Sequence, residues 1–145
     1  MILVFGSLNA DLFFNVTGLP APGETVLCPK YNFRPGGKGA NQAVAAASFG
    51  EQVEMIGSVG NDVFASPVIE ALKKSGVGVS CISQRPGTTG TACVMVEKGG
   101  ENQIVVASGA NLETISGQVD DNWLNEDTIL LLQMEVPIHE IRKII

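Results

Sequence analysis

The sequence holds one histidine, His139, and only one tryptophan and one tyrosine. A single histidine excludes metal centres built on clustered imidazoles. The apolar stripe around His139 puts its own side chain on a solvent-facing helix surface. Cysteine is scarce: Cys28, Cys81 and Cys93 stand far apart, with no C-x-x-C pair. That spacing signals neither a zinc site nor a disulfide framework, and three free thiols fit a reducing cytosol. Positive charge is sparse, with 9 Lys and Arg against 15 Asp and Glu and a formal net charge of -6. Lys73-Lys74 and Arg142-Lys143 are isolated pairs, so no basic face exists for a nucleic-acid duplex. Long apolar runs are missing as well; none approaches the ~20 residues of a membrane span. The opening Met1-Ile2-Leu3-Val4-Phe5 lacks a basic flank and reaches Asn9 and Asp11 at once, unlike a secretory signal. Internal repeats and low-complexity segments are absent. What remains is a chain of 145 residues, 45% hydrophobic, enough for one domain with its own core.

Glycine is plentiful, and its densest run is informative. Pro35-Gly36-Gly37-Lys38-Gly39-Ala40-Asn41-Gln42 leads straight into Ala43-Val44-Ala45-Ala46-Ala47, a strong helix former. Glycine-dense backbone at a helix start leaves N–H groups free for an oxygen-rich or anionic ligand, helped by the helix dipole. Lys38 and Asn41 add a cation and an amide there. The alternative use of such a run is a tight strand-to-helix turn that needs glycine for packing alone.

Strands and helices alternate around it. Ile2 to Phe5 reads as a strand buried on both faces. Leu12 to Val16 is a second apolar run, and Thr25 to Phe33 is a candidate third strand. Asn41 to Phe49 is a helix stopped by Gly50. Val53 to Val59 is a strand, with Asp62 poised to cap a helix over Val63 to Lys74. Pro67 fits the first turn of that helix. Val77 to Ser83 returns as a strand. Thr91 to Val96 and Gln103 to Ala107 form a hairpin across Glu97–Asn102. Trp123 falls in a short helix or loop. Ile129 to Leu132 reads as a fully buried strand, and Pro137 opens a helix with Ile138, Ile141, Ile144 and Ile145 on one stripe. The pattern is α/β: a mostly parallel sheet with covering helices. The hairpin belongs to a small accessory sheet, and such elements often act as lids.

In an open parallel sheet, ligands bind beyond the carboxyl ends of the strands. Asn9 and Asp11 follow the first strand, and Glu135 follows the strand at 129–132. With the glycine run they supply carboxylates, amides and a lysine, an inventory suited to a polyhydroxylated ligand. Other motifs fail. Gly follows Lys38 where a Walker A loop has Ser or Thr, and no G-x-G-x-x-G follows the first strand.

These segments, read together, resemble the ribokinase-like family of carbohydrate kinases. The matching stretches are Gly6-Ser7-Leu8-Asn9-Ala10-Asp11, Leu19-Pro20-Ala21-Pro22-Gly23-Glu24-Thr25, and Gly36-Gly37-Lys38-Gly39-Ala40-Asn41-Gln42. Gly57-Ser58-Val59-Gly60-Asn61-Asp62, Gly109-Ala110-Asn111 and Leu131-Leu132-Gln133-Met134-Glu135 match further on. The resemblance implies a three-layer α/β sandwich with a mostly parallel central sheet and a small β lid, here truncated. Lid segments would lie at about 12–33 and 89–107 within a single unit over 1–145. It implies sugar binding by Asn9, Ala10, Asp11, Gly37, Lys38, Gly39, Ala40, Asn41 and Glu135, and a homodimer through the lid. It implies ATP-dependent phosphorylation of a primary hydroxyl of ribose or a related sugar, with Mg2+, in the cytoplasm. Family members are about twice as long. Their second half carries the catalytic base, the anion hole, the magnesium-linked motif and most of the ATP pocket. No catalytic residue and no metal ligand is therefore expected in this chain. The alternatives are a stand-alone sugar-binding or dimerisation fragment, or a kinase for another sugar or a nucleoside.

Overall fold

The computed structural model describes every residue, Met1–Ile145. Two four-stranded sheets share the chain. The first contains β1 (Ile2–Phe5), β4 (Val53–Val59), β5 (Ile82–Gln84) and β8 (Ile129–Leu132), in the order β5-β4-β1-β8 and all parallel. The second contains β2 (Asn9–Val16), β3 (Tyr31–Gly36), β6 (Gly90–Glu97) and β7 (Asn102–Ala107), in the order β3-β2-β6-β7. Here β2 runs parallel to β6, and the outer pairs are antiparallel.

Strand β1 explains the layering. Its side chains alternate across the sheet, as the pleat requires. Val4 packs on one face with Ala43, Met55, Val68 and Leu72, beneath α1 (Lys38–Ser48) and α2 (Ala65–Lys74). Leu3 and Phe5 pack on the other face with Ile56, Val136, Ile141 and Ile144, beneath α3 (Ile138–Ile144). Helices on both faces of a parallel sheet give the three-layer sandwich that the family resemblance implies. The tight face rests on alanine: Ala40 and Ala43 bring α1 close to the sheet.

Several sequence expectations shift. The third strand starts at Tyr31, not Thr25. Pro29 offers no ladder donor, Leu27 is 88% exposed, and the Cys28 thiol donates to the Asn15 and Lys30 carbonyls, so 25–30 crosses the sheet as a loop. The strand expected over Val77 to Ser83 is reduced to β5 and a single bridge from Glu54 to Gly78. The Glu54 carboxylate accepts hydrogen bonds from the Ser80 amide, the Ser80 hydroxyl and the Cys81 amide, bending the chain until Ile82. Strand β8 is not fully buried: it lies at the sheet edge, and Ile129 is 63% exposed. On α3, Ile141 and Ile144 are buried while Ile138 and Ile145 face outward. The helix α1 begins at Lys38, inside the glycine run. His139 is exposed, as its place on the helix implies.

Candidate functional site

The chain passes between the two sheets just beyond the carboxyl ends of the parallel strands. Residues 6–8 lead from β1 to β2, and Gly36-Gly37 lead from β3 into α1. Gly37 is required there. Its φ of 95° belongs to glycine, and a Cβ would sit 2.7 Å from the Ser7 carbonyl oxygen and 2.8 Å from the Asn9 nitrogen. Gly39 is required for approach alone, since a Cβ would sit 2.6 Å from the Ser7 nitrogen.

Those close approaches consume part of the helix start. The Ala40 amide donates to the Ser7 carbonyl at 3.0 Å, and the Gly39 amide donates to the Ser7 hydroxyl at 3.4 Å. These donors therefore knit α1 to the β1–β2 crossing instead of pointing at a ligand. Gly39 and Ala40 are buried, and Ala10 is fully buried in the core. None of the three lines the cleft described next.

Six of the nine sequence candidates do converge. Asn9, Asp11, Gly37, Lys38, Asn41 and Glu135 line one cleft of about 370 Å³. Phe13, Val94, Ile104 and Val106 of the second sheet form its apolar wall. A second cleft of about 330 Å³ shares Asn9, Val106 and Glu135 and continues to Ser108, Asn111 and Met134. A mostly apolar wall with a few convergent polar groups is the usual build of a small-molecule site.

The polar floor is a network. Lys38 Nζ forms an ion pair with Glu135 Oε1. The Ser7 hydroxyl donates to Glu135 Oε2 at 2.9 Å. Partial burial works against charge on Glu135, but hydrogen bonds from Lys38 and Ser7 outweigh it and hold its carboxyl below the usual range. Asp11 moves the other way. Burial, followed by repulsion from Glu135, raises its pKa, with Lys38 opposing. Asp11 Oδ1 is shut off from solvent and has no hydrogen-bond partner. A buried acceptor without a donor is costly, so a rotation of the carboxylate that turned this oxygen toward a ligand hydroxyl would remove a standing penalty.

Three residues beyond the candidate set shape this floor. Asn111, only 2% exposed, accepts from the Leu8 amide at 2.8 Å and donates to Asn9 Oδ1 at 2.8 Å and to the Leu8 carbonyl at 3.2 Å. The Asn9 side chain is thereby held in one orientation, with its NH2 group left over. Gln133 accepts from the Ser7 amide at 3.1 Å, and Ser7 makes the contacts given above. The Gly109-Ala110-Asn111 and Leu131–Glu135 motifs contain two of these residues, yet nothing local says which backbone they satisfy.

The sequence of the whole chain carries a family relationship consistent with this site. A family model described as pfkB family carbohydrate kinase matches residues 1–139. The chain belongs to the pfkB family of carbohydrate kinases. Among curated relatives, a ribokinase of Lactococcus lactis is 37% identical over 142 residues, covering 96% of this chain and 47% of the relative. A crystal structure of a ribokinase from Thermotoga maritima superposes with a TM-score of 0.89 at 38% identity, over 98% of this chain and 48% of that one. A structure of Arabidopsis thaliana ribokinase complexed with ribose and ATP superposes with a TM-score of 0.77 at 34% identity, over 94% of this chain and 46% of that one. This pfkB-family chain thus spans about half the length of the relatives it matches. No helix in it is long and apolar enough to cross a membrane.

Proposed function

We propose that this chain carries the acceptor-binding part of a ribokinase-type sugar kinase, which moves a phosphoryl group from ATP to a primary hydroxyl of ribose or a related sugar. The observation that supports this reading best is the convergence on one cleft of Asn9, Asp11, Lys38, Asn41 and Glu135, with Asp11 Oδ1 lacking a donor. A sugar hydroxyl both donates and accepts, so vicinal hydroxyls match a carboxylate beside an amide. The Ile104 and Val106 wall would cover the sugar's carbon face, and the second sheet would serve as the lid. Gly39, Ala40 and Ala10 would contribute by placing the backbone of this floor.

Glu135 is already engaged by Lys38 and Ser7, and no group of three or more His, Cys, Asp or Glu side chains gathers in this chain. In this reading ATP and Mg2+ are assigned to the part of the family fold that the chain does not span. The catalytic base is assigned to that part too. Phosphoryl transfer depends on positioning and charge stabilisation, and the role of this chain is positioning. A homodimer through the second sheet is part of the proposal, supported by the unpaired edge of β7, where Val105, facing away from the cleft, is 65% exposed. A cytoplasmic location is supported by the three free cysteines.

The test is calorimetric titration of the chain with D-ribose, 2-deoxyribose, fructose and adenosine. Ribose is expected to bind, with Asp11→Ala at least tenfold weaker (about 1.4 kcal/mol). Binding of adenosine alone would move the acceptor to nucleosides. Equal affinity of the wild type and Asp11→Ala would remove Asp11 from the site.

A further inference from the structure

The network that orients Asn9 continues to a carboxylate outside both clefts. Asp62 lies in the turn between β4 and α2. Its Oδ1 accepts from the Phe64 amide at 3.1 Å and the Ala65 amide at 3.2 Å, at the start of α2. The same carboxylate accepts from the Thr89 hydroxyl at 2.7 Å and the Thr89 amide at 2.7 Å. A helix cap explains the first pair of bonds but not the second. Thr89 is fully buried, and its hydroxyl also accepts from the Gly60 amide at 3.0 Å.

Thr89 is the last residue before β6, the strand whose Ala92 and Val94 line the larger cleft. The next residue, Gly90, lies so close to Asn9 Oδ1 and Asn111 Nδ2 that a Cβ there would collide with both. The preceding carbonyl, of Thr88, accepts the Ala110 amide at 2.8 Å. Gly109 lets that turn lean on Thr89, with a Cβ only 3.0 Å from the Thr89 carbonyl carbon. Asn111 follows directly and holds Asn9. Asp62, Thr89, Ala110, Asn111 and Asn9 thus form a continuous chain of hydrogen bonds and close backbone contacts.

We propose that Asp62 is a positioning residue for the acceptor cleft: by clamping Thr89 it sets the root of β6 and the Asn111 side chain that orients Asn9. The inference rests on the acceptor-binding reading for its consequence in affinity, and on geometry alone for the linkage. Removing the clamp loosens the 86–90 segment against which the Asn111 turn rests, so Asn9 loses its single orientation, while the β2–β6 ladder keeps the strand in register. The contribution of such a linked network is best isolated by a double-mutant cycle.

The variants are Asp62→Asn, Thr89→Val, Thr89→Ser and the Asp62→Asn/Thr89→Val pair, each read two ways. Thr89→Val leaves the α2 cap intact, and Thr89→Ser keeps the hydroxyl. D-Ribose affinity is expected to fall about tenfold in Asp62→Asn and in Thr89→Val. The pair should be no weaker than the worse single variant, and Thr89→Ser should stay close to the wild type. In hydrogen exchange, the Leu8 and Ala110 amides should lose protection in both single variants, while β1 and β4 keep theirs. Loss of protection confined to residues 64–74 would reduce Asp62 to a helix cap and overturn the proposal. So would wild-type affinity in Thr89→Val. A wild-type chain that binds no pentose defeats the acceptor reading, and the Leu8 and Ala110 amides then decide the linkage alone. If Thr89→Val fails to fold, Asp62→Asn carries both readouts.

Discussion

Replacing Gly37 by Ala would test the physical account of the β3–α1 junction. The residue has φ 95° and ψ 136°, a region essentially reserved for glycine. Holding Ala there costs about 1–3 kcal/mol. The added methyl would also lie 2.7 Å from the Ser7 oxygen, 2.8 Å from the Asn9 nitrogen and 3.0 Å from the Leu8 Cα. These atoms cannot retreat freely, because the Ser7 carbonyl is held by the Ala40 amide and the Leu8 amide is held by Asn111. Overpacking of that kind costs about 1–3 kcal/mol more. The sum is about 4 kcal/mol, a large fraction of the ~7–20 kcal/mol typical of a domain this size. With an m-value of about 2 kcal/mol/M, the urea midpoint would fall by about 2 M. Two further glycines separate the causes. Gly50 has φ 86° but nothing within 4 Å of an added Cβ, so Gly50→Ala carries backbone strain alone, about 1–2 kcal/mol. Gly18 has neither a positive φ nor a near neighbour, so Gly18→Ala should be neutral or stabilising by up to ~1 kcal/mol. Urea unfolding followed by circular dichroism should rank the three in that order. A Gly37→Ala midpoint equal to that of Gly50→Ala would refute the steric argument.

Other outcomes follow from the same geometry. Asn111→Ala leaves the buried Leu8 amide unpaired and should destabilise the fold by about 2–4 kcal/mol, read as a lowered melting midpoint. Lys38→Met breaks an ion pair whose lysine is 71% exposed, so stability should change by less than ~1 kcal/mol; ribose affinity, measured alongside, should fall. Glu140 is held by Lys143 first and then by the amide and hydroxyl of Ser116, which lower its pKa from 4.5 to about 2. Its contribution is therefore complete above pH 4.5 and is lost as pH falls toward 2. The melting difference between the wild type and Glu140→Gln should be largest near neutrality and should vanish at the acid end of that window. A difference that grew on acidification would contradict the sign.

Much of this molecule is legible locally. Ile2–Phe5, Val53–Val59 and the helices α1 and α2 follow from runs of apolar residues and from their capping and stop signals. The hairpin follows from β-branched runs flanking Lys98-Gly99-Gly100. Ile129–Leu132 is as apolar as a central strand; in this chain, which spans about half the length of its relatives, β8 pairs with β1 alone. The strand expected at Thr25 to Phe33 starts late because a proline, a thiol and an exposed leucine divert the chain, an outcome settled by contacts with Asn15 and Lys30. At the site, the residue types pointed to a polyol, and the motifs pointed to a family.

The sequence by itself determined the α/β class, the glycine-rich start of a helix, and membership of the pfkB family. Periodicity, turn chemistry and motif order are properties of neighbouring residues, so they survive reading in one dimension. Only the tertiary structure decided which candidates meet. Lys38 finds Glu135 across 97 positions, and Asn111 finds Asn9 across 102. It also decided that the Gly39 and Ala40 amides serve Ser7, that Ala10 serves the core, and that Asp11, among the cleft residues, keeps a buried oxygen without a donor. Burial and hydrogen-bond satisfaction depend on what lies across a cleft, and the chain's local order does not contain that distance.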